Sequence, residues 1–449
     1  MASRSGCTDT FARDALPPAS LWPELRFDRI PGLAYPERLN CAAELLDTTV
    51  ARGNGDRTVI HFHGGSWSYA ELLERANRIA HVLTEDLGVV PGNRVLLRGF
   101  NSPMMAACWF GILKAGGIVV CTMPLLRPRE LTSIADKARV TLALSDARIT
   151  ADCELAMKTT GSGDSRPGGR TVTFGSGADA TAELDRLMAG KPATFETCDT
   201  AADDVALIAF TSGTTGEGKG TMHFHRDVLA ICDCFPVHVL KASADDVFCG
   251  SPPFAFTYGL GGILLFPMRI GASTLLLEHA TPPHLLDAIE RYRPTVTFTA
   301  PTAYRAMHGM LAGRDVSSLR KCVAAGETLP RATFEAWERA TGIRIIDGIG
   351  ATELLHIFIS AADDEIRPGS TGKVVPGYEA KVIDDTGETV PNGTVGKLAV
   401  RGPTGCRYLD NIEKQKAYVK NGWNLTGDSY VRDDDGYYWY QARTDDMII

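Results

Sequence analysis

Six apolar residues, Val205-Ala206-Leu207-Ile208-Ala209-Phe210, lead straight into Thr211-Ser212-Gly213-Thr214-Thr215-Gly216-Glu217-Gly218-Lys219-Gly220. A short apolar run ending at glycines reads as a strand buried on both faces, as in parallel sheets covered by helices. The segment after it carries four hydroxyl side chains, four glycines and one lysine. Glycines let backbone N–H groups approach anionic oxygens, hydroxyls donate hydrogen bonds and the ammonium adds a compact charge. Open α/β sheets bind ligands beyond the carboxyl ends of their strands, so a phosphate site is expected at the end of this one.

Gly213 to Lys219 also fits the G-x-x-x-x-G-K spacing of a P-loop nucleoside triphosphatase. That loop needs Ser or Thr at the next position to hold magnesium, and Gly220 stands there. The other reading is a plain glycine–threonine linker, which would not be expected to follow a buried strand and carry a single lysine.

A chain of 449 residues is too long for one simple core, and two or three structural units are expected. Ser68-Tyr69-Ala70-Glu71 has the form of a capping box, opening a helix with Leu72, Ala76, Ile79 and Leu83 on one face. Short β-like runs follow at Val95 to Leu97, Ile118 to Cys121 and Val140 to Leu144. Beyond the phosphate loop, strands are expected at Thr274 to Leu277, Val296 to Thr299, Cys322 to Ala325 and Arg344 to Asp347, with helices at 283–292, 302–311 and 332–341. From Pro368 on, short runs separated by Gly, Asn and Asp predict a small antiparallel sheet or barrel. The fold class is therefore α/β, with two parallel-sheet αβ subdomains, 1–200 and 201–368, and a β-rich subdomain, 369–440. The Gly/Ser-rich stretch from Thr159 to Gly177 is expected to be a surface excursion.

Eleven scattered cysteines, with only Cys232 and Cys234 close together, fit reduced thiols of a cytoplasmic protein. The longest apolar stretches are interrupted at Lys114 and again at Pro267 and Arg269, so neither reads as a membrane span. A net charge of −8 argues against nucleic acid as the main partner. The pairs His61/His63 and His223/His225 lack further nearby ligands and read as strand or loop residues rather than a metal centre.

Four more segments share chemistry with the loop. Ala325-Gly326-Glu327 offers bare backbone to a flat ring, and Asp347-Gly348-Ile349-Gly350-Ala351-Thr352-Glu353 ends a strand with a hydroxyl and a carboxylate suited to a phosphate and Mg²⁺. Thr426-Gly427-Asp428 supplies an acceptor for sugar hydroxyls, and Arg443-Thr444-Asp445-Asp446 follows. Each alone could be a capped turn or solvated loop. The order of phosphate loop, x-G-x-T-E, T-G-D and R-x-D-D resembles the acyl-adenylate-forming enzymes, from about residue 40 onward. Phe254-Ala255-Phe256-Thr257-Tyr258-Gly259-Leu260-Gly261 and Gly348-Ile349-Gly350-Ala351-Thr352-Glu353-Leu354-Leu355-His356-Ile357-Phe358 are similar to the benzoate and 2-aminobenzoate CoA ligases.

The resemblance implies a ligase that uses ATP, Mg²⁺ and coenzyme A: an aromatic carboxylate attacks the α-phosphate, pyrophosphate leaves, and the thiol of CoA then displaces AMP. Thr211, Ser212, Gly213, Thr214, Thr215, Gly216 and Lys219 would hold the outer phosphates, Thr352 would contact the α-phosphate and Glu353 would hold magnesium. Asp428 and Arg443 would bind the ribose, while Gly326, Glu327, Asp347, Gly348 and Ile349 would line adenine. Phe254, Phe256, Tyr258, Gly259, Ala300, Gly348, Gly350 and His356 would form a flat slot for the ring. Gly218 stands where the family usually has proline, and Ile349 where many members place an aromatic residue. The family also carries a small C-terminal domain whose lysine completes adenylation. With the hinge-like Asp445 in segment 441–449, this chain is expected to be the larger N-terminal portion, slow at making the adenylate. A carrier-protein thiol in place of CoA, and simple binding of nucleotide or aryl adenylate, are the competing readings.

Overall fold

The computed structural model describes residues 5–161, 168–176, 181–211 and 218–443. Among them the strands form three sheets. The first has the order Arg170–Phe174, Leu142–Asp146, Arg94–Arg98, Ile118–Thr122, Val205–Thr211, Lys219–Phe224 and is parallel except for its last pair. All five residues of Arg94–Arg98 and of Leu142–Asp146 are buried, as a sheet covered on both faces requires.

The second sheet runs Lys373–Val374, Ile357–Ser360, Ile345–Gly350, Lys321–Ala324, Val296–Thr299, Val247–Gly250, Ser273–Leu275, Thr58–Phe62, Gly65–Ser68. Its five contiguous pairings from Ile345–Gly350 to Thr58–Phe62 are parallel. The third sheet is antiparallel and is built from Glu379–Ile383, Gly396–Arg401, Val419–Lys420, Trp423–Arg432 and Tyr438–Arg443.

Local chemistry explains the main elements. Helix Tyr69–His81 begins with a reciprocal cap: Ser68 N–H donates to Glu71 Oε2 at 2.7 Å and Glu71 N–H to Ser68 Oγ at 3.2 Å. Helix Pro103–Lys114 is buried on every face, starting from Ser102, whose hydroxyl accepts from Met105 N–H, with proline at the first turn. Its one cation, Lys114, closes the helix by pairing with Asp47 and donating to Thr197 Oγ1 at 2.7 Å. Among the described residues no helix is long and apolar enough to cross a membrane.

Two sequence expectations are revised and one strand is added. The stretch from Thr159 to Gly177 contains the edge strand Arg170–Phe174, with Val172 and Phe174 turned inward in a period-two pattern that the neighbouring glycines and serines obscured. The phosphate loop is followed by a second strand, Lys219–Phe224, which returns antiparallel to Val205–Thr211. Sheet membership also crosses the 200/201 division: Thr58–Ser68 completes the second sheet, and 205–224 completes the first.

Candidate active site

Four parallel strands of the second sheet end on one cavity. Beyond Gly250, Thr299, Ala324 and within Ile345–Gly350 the chain supplies Ser251 to Pro253, Phe256 to Tyr258, Ala300, Ala325 to Glu327, Gly350 to Thr352, and His356 with Ile357 to its wall. The cavity has a volume of about 510 Å³, and Phe256, Tyr258, Ala300, Gly350 and His356 from the expected ring slot line it together with Thr352. Tyr258 is fixed with its hydroxyl 3.2 Å from the carbonyls of both Thr299 and Val323. Phe256 stands at the mouth, half exposed.

His356 forms the inner wall. Its ring meets Phe266 edge-on at 4.5 Å and lies 5.8 Å from the Tyr258 ring, with Nε2 3.3 Å from the Tyr258 carbonyl. Burial pulls its pKa down to about 3, so the imidazole is neutral and Nε2–H is the donor to that carbonyl. Gly261 makes room for this ring: a Cβ there would stand 2.4 Å from His356 Cδ2. Its place in the quoted motif was visible in the sequence, but its facing partner was not.

Phe254, Gly259 and Gly348 do not line the cavity. Phe254 is buried behind it beside Trp109, Leu207 and Ile208, with its N–H held by Asn101 Oδ1 at 3.0 Å. Gly259 packs against main chain, where a Cβ would come 2.4 Å from the Pro253 carbonyl. A run of aromatics and glycines in a loop has no fixed period, so it could not reveal which of them face inward.

A second cavity of about 390 Å³ adjoins the first, sharing Gly326, Glu327 and Gly350. Asp347, Gly348, Ile349, Asp428 and Arg443 line it, as do Thr371, Tyr430 and Tyr440, which the sequence did not single out. Asp428 and Arg443 face each other on paired strands, with Nη1 donating to Oδ1 at 3.1 Å. Burial raises the Asp428 pKa, and the neighbouring guanidinium opposes that rise. Asp347 has its pKa raised to about 7 by burial, against one N–H donated by Gly348.

Three segments meet beside these cavities. Ser212, Gly213, Thr214, Thr215 and Gly216 lie outside the described residues, as do Thr444 and Asp445. Their flanks, Thr211 and Lys219, are paired across the hairpin. The returning strand zips onto 407–409: Met222 N–H donates to Arg407 O and Leu409 N–H to Gly220 O, both at 2.8 Å, and Thr221 bridges Tyr408. Lys219 Nζ is 6.0 Å from the centre of the Tyr408 ring. His223 Nε2 lies 2.8 Å from the Thr352 carbonyl, and its Nδ1 is 3.8 Å from Asp227 Oδ2, which pairs with the fully buried Arg407 at 2.7 Å.

Glu353 accepts the Tyr408 hydroxyl on Oε1 at 2.5 Å, and among the described residues no cation pairs with it. No group of three or more His, Cys, Asp or Glu that could hold a metal occurs among the described residues. A single accessible carboxylate suits Mg²⁺, which takes one or two protein carboxylates and fills its octahedron with phosphate oxygens and water.

The model of the family described as AMP-binding enzyme matches residues 47–408. A benzoate–CoA ligase of Thauera aromatica is 33% identical over 427 residues, 93% of this chain and 79% of that protein. An anthranilate–CoA ligase of Pseudomonas aeruginosa is 34% identical over 404 residues, 88% of this chain and 74% of that protein. The crystal structure of the anthranilate CoA ligase AuaEII in complex with anthranoyl-AMP is similar, with a TM-score of 0.87 and 34% identity over 92% of this chain and 80% of that one.

Proposed function

This chain belongs to the AMP-binding enzymes, and from that premise we propose that it activates benzoate or 2-aminobenzoate as the aryl adenylate and transfers the aroyl group to coenzyme A. The broader class is an AMP-forming acid–thiol ligase using ATP, Mg²⁺ and CoA. The observation carrying the aromatic reading is the pair of joined cavities: an aromatic-walled slot and a polar chamber share the Gly326–Glu327 and Gly350 backbone, with Thr352 on the slot's rim.

In this reading the ring lies between Tyr258, Ala300, Gly350 and His356, with its carboxylate directed toward Thr352. Adenine rests on Gly326 and the Asp347–Ile349 segment, and the ribose hydroxyls meet Asp428 and Arg443. The main obstacle is repulsion between a carboxylate and a polyphosphate; Lys219 and the cation that Glu353 would hold neutralise it while the cavities align the reacting atoms. One carboxylate oxygen bonds to the α-phosphorus as pyrophosphate departs; the CoA sulfur then bonds to the carbonyl carbon, releasing AMP and a proton. Magnesium, when bound, supplies charge neutralisation at the phosphate oxygens.

The test is ATP–pyrophosphate exchange with a panel of acids. Benzoate or 2-aminobenzoate should support exchange well above aliphatic acids; equal or faster exchange with an aliphatic acid would contradict the aromatic assignment.

Two further outcomes follow from the walls. Gly261→Ala drives a methyl into the buried His356 ring, and distorting such a pocket costs about 1–3 kcal/mol. Initial-rate kinetics should show KM for the aromatic acid raised about tenfold, with KM for ATP changed by less than about twofold. The ionised Asp347 carboxylate is a stronger acceptor for an adenine amino group than the neutral acid, so adenosine affinity should rise between about pH 6 and about pH 8. Asp347→Asn should flatten that calorimetric profile. Because the folded pKa lies above the ordinary carboxylate value, this group's contribution to stability is present at low pH and lost as pH rises through about 7.

A further inference from the structure

We propose that Tyr408 is a positioning residue for the reaction's divalent cation, its hydroxyl holding one oxygen of Glu353 so that the other is left for the metal. This rests on reading Glu353 as the magnesium carboxylate. The hydroxyl donates to Oε1 at 2.5 Å, and among the described residues no other hydrogen bond and no ion pair reaches the Glu353 carboxylate. A glutamate otherwise samples several rotamers, so this one contact decides where its charge points.

Tyr408 is itself held firmly. It is 2% exposed, its ring meets Tyr418 edge-on at 5.8 Å, and its N–H donates to Gln415 Oε1 at 2.9 Å. Its backbone bridges Thr221, two residues beyond Lys219, whose ammonium lies near the ring face. The tyrosine therefore places the metal carboxylate and the phosphate-loop lysine on one frame.

Calorimetric titration with α,β-methylene-ATP, without acid and at stepped Mg²⁺, separates the possibilities. Tyr408→Phe keeps the ring and should need about tenfold more Mg²⁺ to reach half of the metal-dependent gain in affinity. Its affinity in EDTA and its melting temperature should match those of the unaltered protein. Glu353→Gln should lose the Mg²⁺ dependence, and adding Tyr408→Phe to it should change nothing more. An unchanged Mg²⁺ requirement in Tyr408→Phe overturns the proposal, as does weaker binding already present in EDTA, which marks a general structural role. If the unaltered protein binds the nucleotide without regard to Mg²⁺, the role assigned to Glu353 fails instead.

Discussion

Glu353→Gln is expected to slow ATP–pyrophosphate exchange by about a hundredfold to a thousandfold, the range seen when one preorganised electrostatic contact to a transition state is removed. Glutamine keeps an oxygen to accept the Tyr408 hydroxyl, so the local hydrogen bond survives while the negative charge disappears. The loss should therefore appear in kcat with little change in melting temperature. A decrease below about threefold would show that the charge at Glu353 does not serve the reaction.

Asp227→Ala should have the largest effect on stability. Arg407 and Asp227 are both fully buried, with Nη1 2.7 Å from Oδ2, and the guanidinium also lies 3.9 Å over the Phe224 ring. Removing the carboxylate leaves a buried cation without its counter-charge, which costs about 3–5 kcal/mol. Chemical denaturation should show an earlier midpoint for Asp227→Ala, and joint replacement by Asp227→Leu and Arg407→Met should recover most of the loss. Burial acts to raise the Asp227 pKa, but Arg407 and then His223 outweigh it and hold the carboxyl below the usual range. Its contribution is thus present at neutral pH and is lost only as pH falls toward that lowered pKa. A wild-type midpoint in Asp227→Ala would contradict this account of the buried pair.

These two residues also mark where sequence reasoning stops. Strand Val205–Thr211 and the strands ending at Thr299, Ala324 and Gly350 were legible because apolar runs and glycine breaks are local signals. Gly326 and Glu327 were noted because ligands gather at strand termini, whereas Ala300 and Gly350 were named only through the resemblance to the adenylate-forming enzymes; all four line the first cavity. The supporting contacts are of another kind: Arg407 meets Asp227 across 180 residues, His223 meets Thr352 across 129, and Tyr408 meets Glu353 across 55. No periodicity joins positions so far apart. His223 was noted only as half of a histidine pair, and Tyr408 carried no signal of its own. Strand Lys219–Phe224 was hidden because its start is occupied by the lysine and glycine that end the phosphate loop.

A crystal structure with 2-aminobenzoyl-AMP bound shows whether the ring and the nucleotide occupy the two joined cavities. The aromatic ring should lie among Tyr258, Gly350 and His356, the phosphate beside Thr352, and the ribose on Asp428. Density for the ring outside that slot, or for the AMP moiety away from Thr352 and Asp428, would contradict that placement.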